Sequence, residues 1–208
     1  MKFVITLLLT TLCLVGALGV GTTPAQAADG SADVQASDGL VSWALHWRDL
    51  DVRATRTLNR WRAAFGRDPV SRVAGAPQPR AFAETWTAAG RAWKAQARDR
   101  FAAARRLRER ATHPGGSGAA RWLPLAFYVG WPRAEAGRLV ECMTGESGGR
   151  QWVINRSSGY PCVGVMQILC YDEAQVRRML NPLANLRQGL RMWRERWWRP
   201  WSAMRAYW

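Results

Sequence analysis

The chain has 208 residues, 48% of them apolar, so it can bury a sizeable core. Its formal net charge is +15, carried almost wholly by arginine, Lys2 and Lys94 being the two lysines; such an excess predicts an anionic partner, although a GC-rich genome would produce the same Arg-over-Lys bias. With only His46 and His113, neither beside a pair of cysteines, a structural zinc site is excluded as an expectation.

In chain order, the first segment has the pattern of an export leader. Lys2 is followed by an apolar run from Phe3 to Val20, and Pro24-Ala25-Gln26-Ala27 ends in the small-x-small pattern of a cleavage site. Cleavage is predicted after Ala27, giving a signal peptide over 1–27; a retained membrane anchor is the alternative. About 180 residues would remain, enough for a compact domain with a helical extension. For an exported chain the fitting anions are cell-wall polymers or lipid head groups, and nucleic acid is not expected.

Residues 28–39 are small and polar and are predicted to be disordered. Leu40, Trp43, Trp47, Leu50, Ala54, Leu58, Trp61 and Phe65 then recur every three or four residues, which predicts a helix with Asp38 as N-cap and Gly66 as stop. Residues 68–80, with Pro69, Gly75, Pro77 and Pro79, read as a connector. Phe82, Trp86, Ala89, Trp93, Ala97, Phe101, Ala104 and Leu107 share one face of a second helix, with arginines on the rest. The two are predicted to pair as a helical hairpin extension over 40–111.

Residues 112–121, with Pro114, Gly115, Gly116 and Gly118, read as a linker to a second unit over 122–208. There, 133–146 is predicted helical and stopped by Gly148-Gly149. Trp152-Val153-Ile154 and Val163 to Leu169 are predicted as short strands joined by a turn over Asn155 to Pro161. Asp172 to Leu180 and Ala184 to Trp197 are predicted helices separated by a break at Asn181-Pro182, with Pro200 ending the second. The fold class is therefore mainly α with a small β-hairpin. Cys142, Cys162 and Cys170 allow three single disulfides; Cys142–Cys162 is favoured because it would tie the first helix of the unit to the loop before Gln167.

The chemistry centres on Glu146. It sits at a helix C-terminus, where the dipole disfavours an anion, with Cys142 and Met143 close in sequence, and Gly148-Gly149 lets the backbone turn away from the carboxyl. A carboxylic acid so placed can protonate a glycosidic oxygen. Alone, an acid at a helix end is more often ordinary surface.

Several blocks in order sharpen the reading: Glu146-Ser147-Gly148-Gly149, then Val153 to Gly159, then Gly164-Val165-Met166-Gln167-Ile168, then Asn181 to Leu190. This order resembles the lytic transglycosylase (SLT) domain of the lysozyme-like superfamily over residues 122–208, with Val165 and Leu186 as mild departures. The resemblance implies a lysozyme-like fold, with Glu146 as the catalytic acid/base, Ser147 supporting that carboxylate and the substrate, and Met166 and Gln167 lining the sugar groove. It also implies that Asn155 and Gly164 shape a loop and that Asn185 secures the groove wall. The family closes with a Tyr that bonds the catalytic Glu; the counterpart here is Tyr207, in a terminus where Trp208 replaces the family's Asn, and a core aromatic is the competing reading of Tyr207.

No second catalytic carboxylate stands out after Glu146, because Asp172, Glu173 and Glu195 lie in Arg-rich helical segments, whereas a two-carboxylate glycosidase needs a partner about 5–10 Å away. The implied activity is cleavage of the β-1,4 bond between N-acetylmuramic acid and N-acetylglucosamine in peptidoglycan, assisted by the substrate's own N-acetyl group, with 1,6-anhydro products if the muramic 6-hydroxyl attacks and lysozyme-type hydrolysis if water does. No metal or organic cofactor is implied. Among 13 tryptophans, those on helical faces (Trp43, Trp47, Trp61, Trp86, Trp93) read as core, Trp152 as a sugar platform, and Trp197, Trp198 and Trp201 as either. A non-catalytic wall- or membrane-binding protein using the Arg/Trp-rich helices over 82–110 is the rival function, and a solvated arginine face has equal weight.

Overall fold

The computed structural model describes residues 36–207, apart from Arg72, Pro79 and Ser158. The expected leader, residues 28–35 of the expected polar stretch and Trp208 lie outside the described residues.

The three- and four-residue spacing of apolar side chains produces two long helices, α1 (Asp38–Ala64) and α2 (Ala83–Thr112). The cap of α1 is Ser37, one residue before the expected Asp38. Its hydroxyl accepts from the Leu40 N–H at 3.3 Å, which leaves the Asp38 carboxylate in the first turn, at the positive end of the dipole. The connector after Gly66 is tied to α1 by Asn59, which accepts from the Val70 N–H at 2.8 Å and donates to the Val70 carbonyl at 3.4 Å. The two helices do not form the expected hairpin: they pack side by side in the same direction, start on start and end on end, and the connector carries the chain back along them. Trp43 meets Gly90, Lys94 lies 5.0 Å over Trp47, and Arg110 lies 5.6 Å over Phe65. Midway along the pair, the buried Asp51 of α1 takes the Arg100 guanidinium of α2 at 2.5 Å, and the same group donates to Thr55 at 2.9 Å.

The later helices are shorter: α3 (Leu123–Val129), α4 (Ala136–Ser147), α5 (Glu173–Met179) and α6 (Pro182–Arg196). Between α4 and α5 lies a three-stranded antiparallel sheet in the order β1 (Ile154–Asn155), β2 (Cys162–Val163), β3 (Ile168–Leu169). Ile154 pairs with Val163, and Cys162 with Leu169. The protein is thus mainly helical with a small antiparallel sheet, as its sequence predicts.

Two local expectations are corrected. Residues 163–169 are not one strand: Val163 pairs with Ile168, and residues 164–167 turn the chain back. Gly164 at φ 78° and Gln167 at φ 47° lie in the left-handed region, through which a strand cannot run. Asn181-Pro182 separates α5 from α6 as expected, but α6 starts there, two residues before the expected Ala184. The Asn181 side chain accepts from the Leu183 and Ala184 N–H groups, and Pro182 occupies the first turn, where its missing N–H would have had no helical partner.

The α1–α2 pair and the later helices share one core, in which Leu58, Trp61 and Leu107 join Leu125, Leu139, Met143, Met166 and Leu186. Trp61 of α1 lies flat on Tyr128 of α3, with centroids 3.6 Å apart and ring planes 4° from parallel. The starts of α1 and α2 have a separate cluster around Ala44, Trp86 and Trp93, against which Trp43 and Trp47 are half-buried. Trp198 and Trp201 are also core, whereas Trp197 is exposed. Three buried indoles place their N–H on backbone carbonyls, Trp122 on Gly149 at 2.7 Å, Trp131 on Leu186 at 3.0 Å and Trp201 on Met166 at 2.8 Å, and Trp198 places its own on the Glu135 carboxylate at 3.2 Å.

Cys142, Cys162 and Cys170 are free thiols, so the expected Cys142–Cys162 bridge is not formed. Cys142 is fully buried on α4, while Cys162 stands half-buried in β2 opposite Leu169. Among the described residues no helix is long and apolar enough to cross a membrane.

Candidate functional site

Helix α4 ends where the sequence predicts. Gly148, at φ 62°, donates to the Thr144 carbonyl and Gly149 to that of Met143, so the chain leaves the helix immediately after Ser147. Glu146 is therefore held in the last turn and is half-buried. Its Oε1 accepts the backbone N–H of Ala203 at 3.0 Å and the Ser202 hydroxyl at 3.3 Å. Among the described residues no hydrogen bond reaches Oε2, which leaves that oxygen available to an external donor or acceptor.

Ser147 points the other way. It is 2% exposed, and its hydroxyl lies 2.7 Å from the Val165 carbonyl and 3.0 Å from that of Met143. A hydroxyl has one proton, and the shorter contact, to Val165, joins α4 to the turn over 164–167. Ser147 thus supports Glu146 by fixing the helix end, and its side chain is not on the surface.

Met166 and Gln167 occupy that turn. Met166 is fully buried, with its side chain packed against Gly189 of α6, so it belongs to the core and does not line a surface groove. Gln167 is 8% exposed, and its amide nitrogen donates to the carbonyls of Gly164 at 3.0 Å and Val153 at 3.2 Å. Its Oε1 is buried without a hydrogen-bond partner. A buried acceptor left unpaired beside a left-handed backbone is a feature that concentrates at functional sites.

The turn itself is held by Asn185 of α6, fully buried and fully used. Its Nδ2 donates to Val163 at 2.8 Å and Met179 at 3.0 Å, and its Oδ1 accepts from the Met166 N–H at 2.9 Å. Asn185, expected to secure a groove wall, here secures the turn over 164–167. The side chain approaches so closely that a Cβ on Gly164 would fall 2.4 Å from Nδ2 and 2.6 Å from the Met179 carbonyl oxygen, so only glycine fits. Asn155 is in β1 and exposed, and its side chain accepts from the Ser157 N–H at 2.9 Å to shape the following loop.

Tyr207 does not bond Glu146. Its hydroxyl donates to Glu141 at 2.7 Å, and the Arg138 guanidinium lies 5.1 Å above its ring. Glu141 precedes Glu146 by five residues, which turns it about 140° around the helix. That hydrogen bond, partial burial and the negative charge of Glu141 hold the Tyr207 phenol above its ordinary pKa, with Arg138 acting in the opposite sense. The clasp on Glu146 comes instead from Ser202 and Ala203, residues the sequence reading missed. Half of that clasp is a backbone N–H, which leaves no signature in a sequence.

The charge on Glu146 also reaches the interior. Burial first, and then the carboxylates of Glu146 and Glu141, push the Cys142 thiol far above its ordinary range, so it stays neutral and inert. Among the described residues no cluster of His, Cys, Asp or Glu could hold a metal ion. Cavities of about 270 to 560 Å³ open elsewhere on the surface, and Glu146 lines none of them.

Three segments therefore converge: the end of α4, the turn over 164–167, and the stretch from Trp201 to Tyr207. Together they form the surroundings of the Glu146 carboxyl on a mainly helical protein. The chain matches no family model, no curated protein and no solved structure.

Proposed function

We propose that the protein is a peptidoglycan lytic transglycosylase that cleaves the β-1,4 bond between N-acetylmuramic acid and N-acetylglucosamine with Glu146 as its one acid/base. The observation that carries this reading is the clasp on Glu146. One carboxyl oxygen is fixed by Ala203 and Ser202 while the other has no hydrogen-bond partner among the described residues, in the chain segment whose ordered blocks resemble that family.

In this reading Glu146 gives its proton to the leaving glycosidic oxygen, and the N-acetyl group of the substrate stabilises C1. Glu146 then takes the proton of the muramic 6-hydroxyl as that oxygen bonds to C1. The proton given is thus regained, and a 1,6-anhydro end is released. Substrate assistance supplies the role that a second enzymic carboxylate fills in other glycosidases. An exported, wall-facing location belongs to the same proposal.

Digestion of purified peptidoglycan followed by mass spectrometry tests it. Wild-type protein should release anhydro-muropeptides, and Glu146→Gln should lower turnover by about 10²–10⁴-fold. Reducing ends in place of anhydro ends would assign the same site to a hydrolase, and full activity of Glu146→Gln would remove the site altogether.

A further inference from the structure

A cavity of about 460 Å³ lies between α1, α2, α3 and the start of α6, and a second of about 340 Å³ shares Arg108, Thr112 and Leu183 with it and ends beside Trp152. The two adjoin at these side chains and together make up a trough along the surface. Its apolar part includes Leu183 and the stacked pair Trp61 and Tyr128. Arginines line it from three elements: Arg105 and Arg108 of α2, Arg177 of α5 and Arg187 of α6. No aspartate or glutamate lines either cavity.

An exposed arginine face is usually just solvated. Here the placement of the arginines argues for more. Of the described arginines, three elsewhere pair with carboxylates, Arg100–Asp51, Arg138–Glu135 and Arg156–Glu173, and with twice as many cations as acids in the chain most others do not; what sets these four apart is that they share a concavity with no acid. Among the described residues none of the four guanidinium groups along the trough makes an ion pair or hydrogen bond. Like charges gathered from separate elements along one concavity make a positive channel that concentrates anions.

We infer that this trough binds a linear polyanion, specifically a chain of polyol units joined by phosphodiesters. The arginines are spread along the trough instead of crowding one end, which matches charges repeated along a chain, and a guanidinium grips phosphate oxygens in pairs. The apolar side chains between them suit the carbon backbone of such a chain. A bilayer surface fits less well, because the arginines line a concavity. Single-stranded nucleic acid fits less well because its bases need free aromatic faces. Trp61 and Tyr128 cover each other, which leaves Phe101, 42% exposed, and Trp152, 71% exposed. This binding goes beyond the proposed cleavage and does not depend on it.

The test titrates the full chain with fluorescent poly(glycerol phosphate) at low and rising salt. Saturable binding that weakens with salt is expected. Replacing Arg105, Arg108 and Arg187 together by Gln should weaken it about tenfold or more, whereas Arg56→Gln/Arg80→Gln/Arg106→Gln, which removes the same charge outside the trough, should change it by less than about twofold. All six side chains are exposed, so both variants should fold, as circular dichroism will verify. Equal losses in the two variants, no saturable binding, or tighter binding of single-stranded DNA or of anionic phospholipid vesicles would each overturn the proposal.

Discussion

Asn185 shows how one side chain can hold a site without touching substrate. It closes three backbone hydrogen bonds in a place with no access to water. Asn185→Ala leaves the Met179 carbonyl and the Met166 N–H buried and unpaired, at about 1–3 kcal/mol each, and takes from the Val163 carbonyl one donor besides its β3 partner, so a loss of about 2 kcal/mol or more is expected in denaturant unfolding. Asn185→Asp keeps the acceptor but cannot donate to the carbonyls of Val163 and Met179, so it should rescue little. Tyr207 gives a prediction of a different kind. Its phenol is raised above the ordinary value of 10.0 in the folded chain. The hydrogen bond to Glu141 therefore stabilises the fold below that ordinary value and is lost as pH climbs through the raised one. Glu141→Gln should bring the Tyr207 titration back towards the ordinary range, as read from phenolate absorbance by difference against Tyr207→Phe; an unchanged midpoint would refute the pairing. These residues also mark what a sequence reveals at this scale. Glu146 was legible because an acid before two glycines at a helix end is a local pattern. Met166 and Ser147 were placed correctly along the chain but read as facing the substrate, since spacing does not tell which side of a turn points inward. The partner of Tyr207 was misread because Glu141 and Glu146 lie on the same helix, and only the path of residues 201–207 decides which one it meets.

At the scale of elements, the site depends on how closely the 202–207 stretch lies on α4. A Cβ added to Gly145 would sit 2.6 Å from the Cβ of Ala203, so the two segments touch only because Gly145 has no side chain. Gly145→Ala should push them apart, cost about 1–3 kcal/mol in stability, and carry the Ala203 N–H away from Glu146. Ala203→Gly removes the opposing methyl and should restore part of that loss, giving a favourable coupling in a double-mutant cycle. Simple additivity would show that the contact is not made as described. Helix positions were legible from apolar periodicity, and the stops at Gly66 and Gly148 from turn chemistry. The strand over 163–169 was not, because an apolar run looks the same whether it continues straight or folds back at Gly164 and Gln167. Asn-Pro was legible as the break between α5 and α6, but not as the start of the second helix, which Asn181 caps and Pro182 opens.

For the whole molecule the decisive contact joins the α1–α2 pair to the helices around Glu146. The sequence places a Gly-rich linker between these two parts, but their side chains enter one core, with Leu58, Trp61 and Leu107 packed among residues of α3 to α6. Trp61 is 3% exposed and stacks on Tyr128, so it belongs equally to both parts. Trp86 is as buried, at 2%, but sits in the separate cluster at the other end of the pair, where both helices start. The two tryptophans should therefore fail differently. Trp61→Ala should cost about 3–5 kcal/mol and lower the stability of the whole fold. Native-state hydrogen exchange should then quicken in α4 and β1 to β3 as well as in α1 and α2. Trp86→Ala removes as large a side chain, yet its cavity opens away from the shared core, so exchange should quicken chiefly in the first half of α1 and of α2. If Trp61→Ala left α4 as protected as in the unaltered chain, the α1–α2 pair would be an appendage, and the Trp61–Tyr128 stack would not be what couples it to the Glu146 carboxyl.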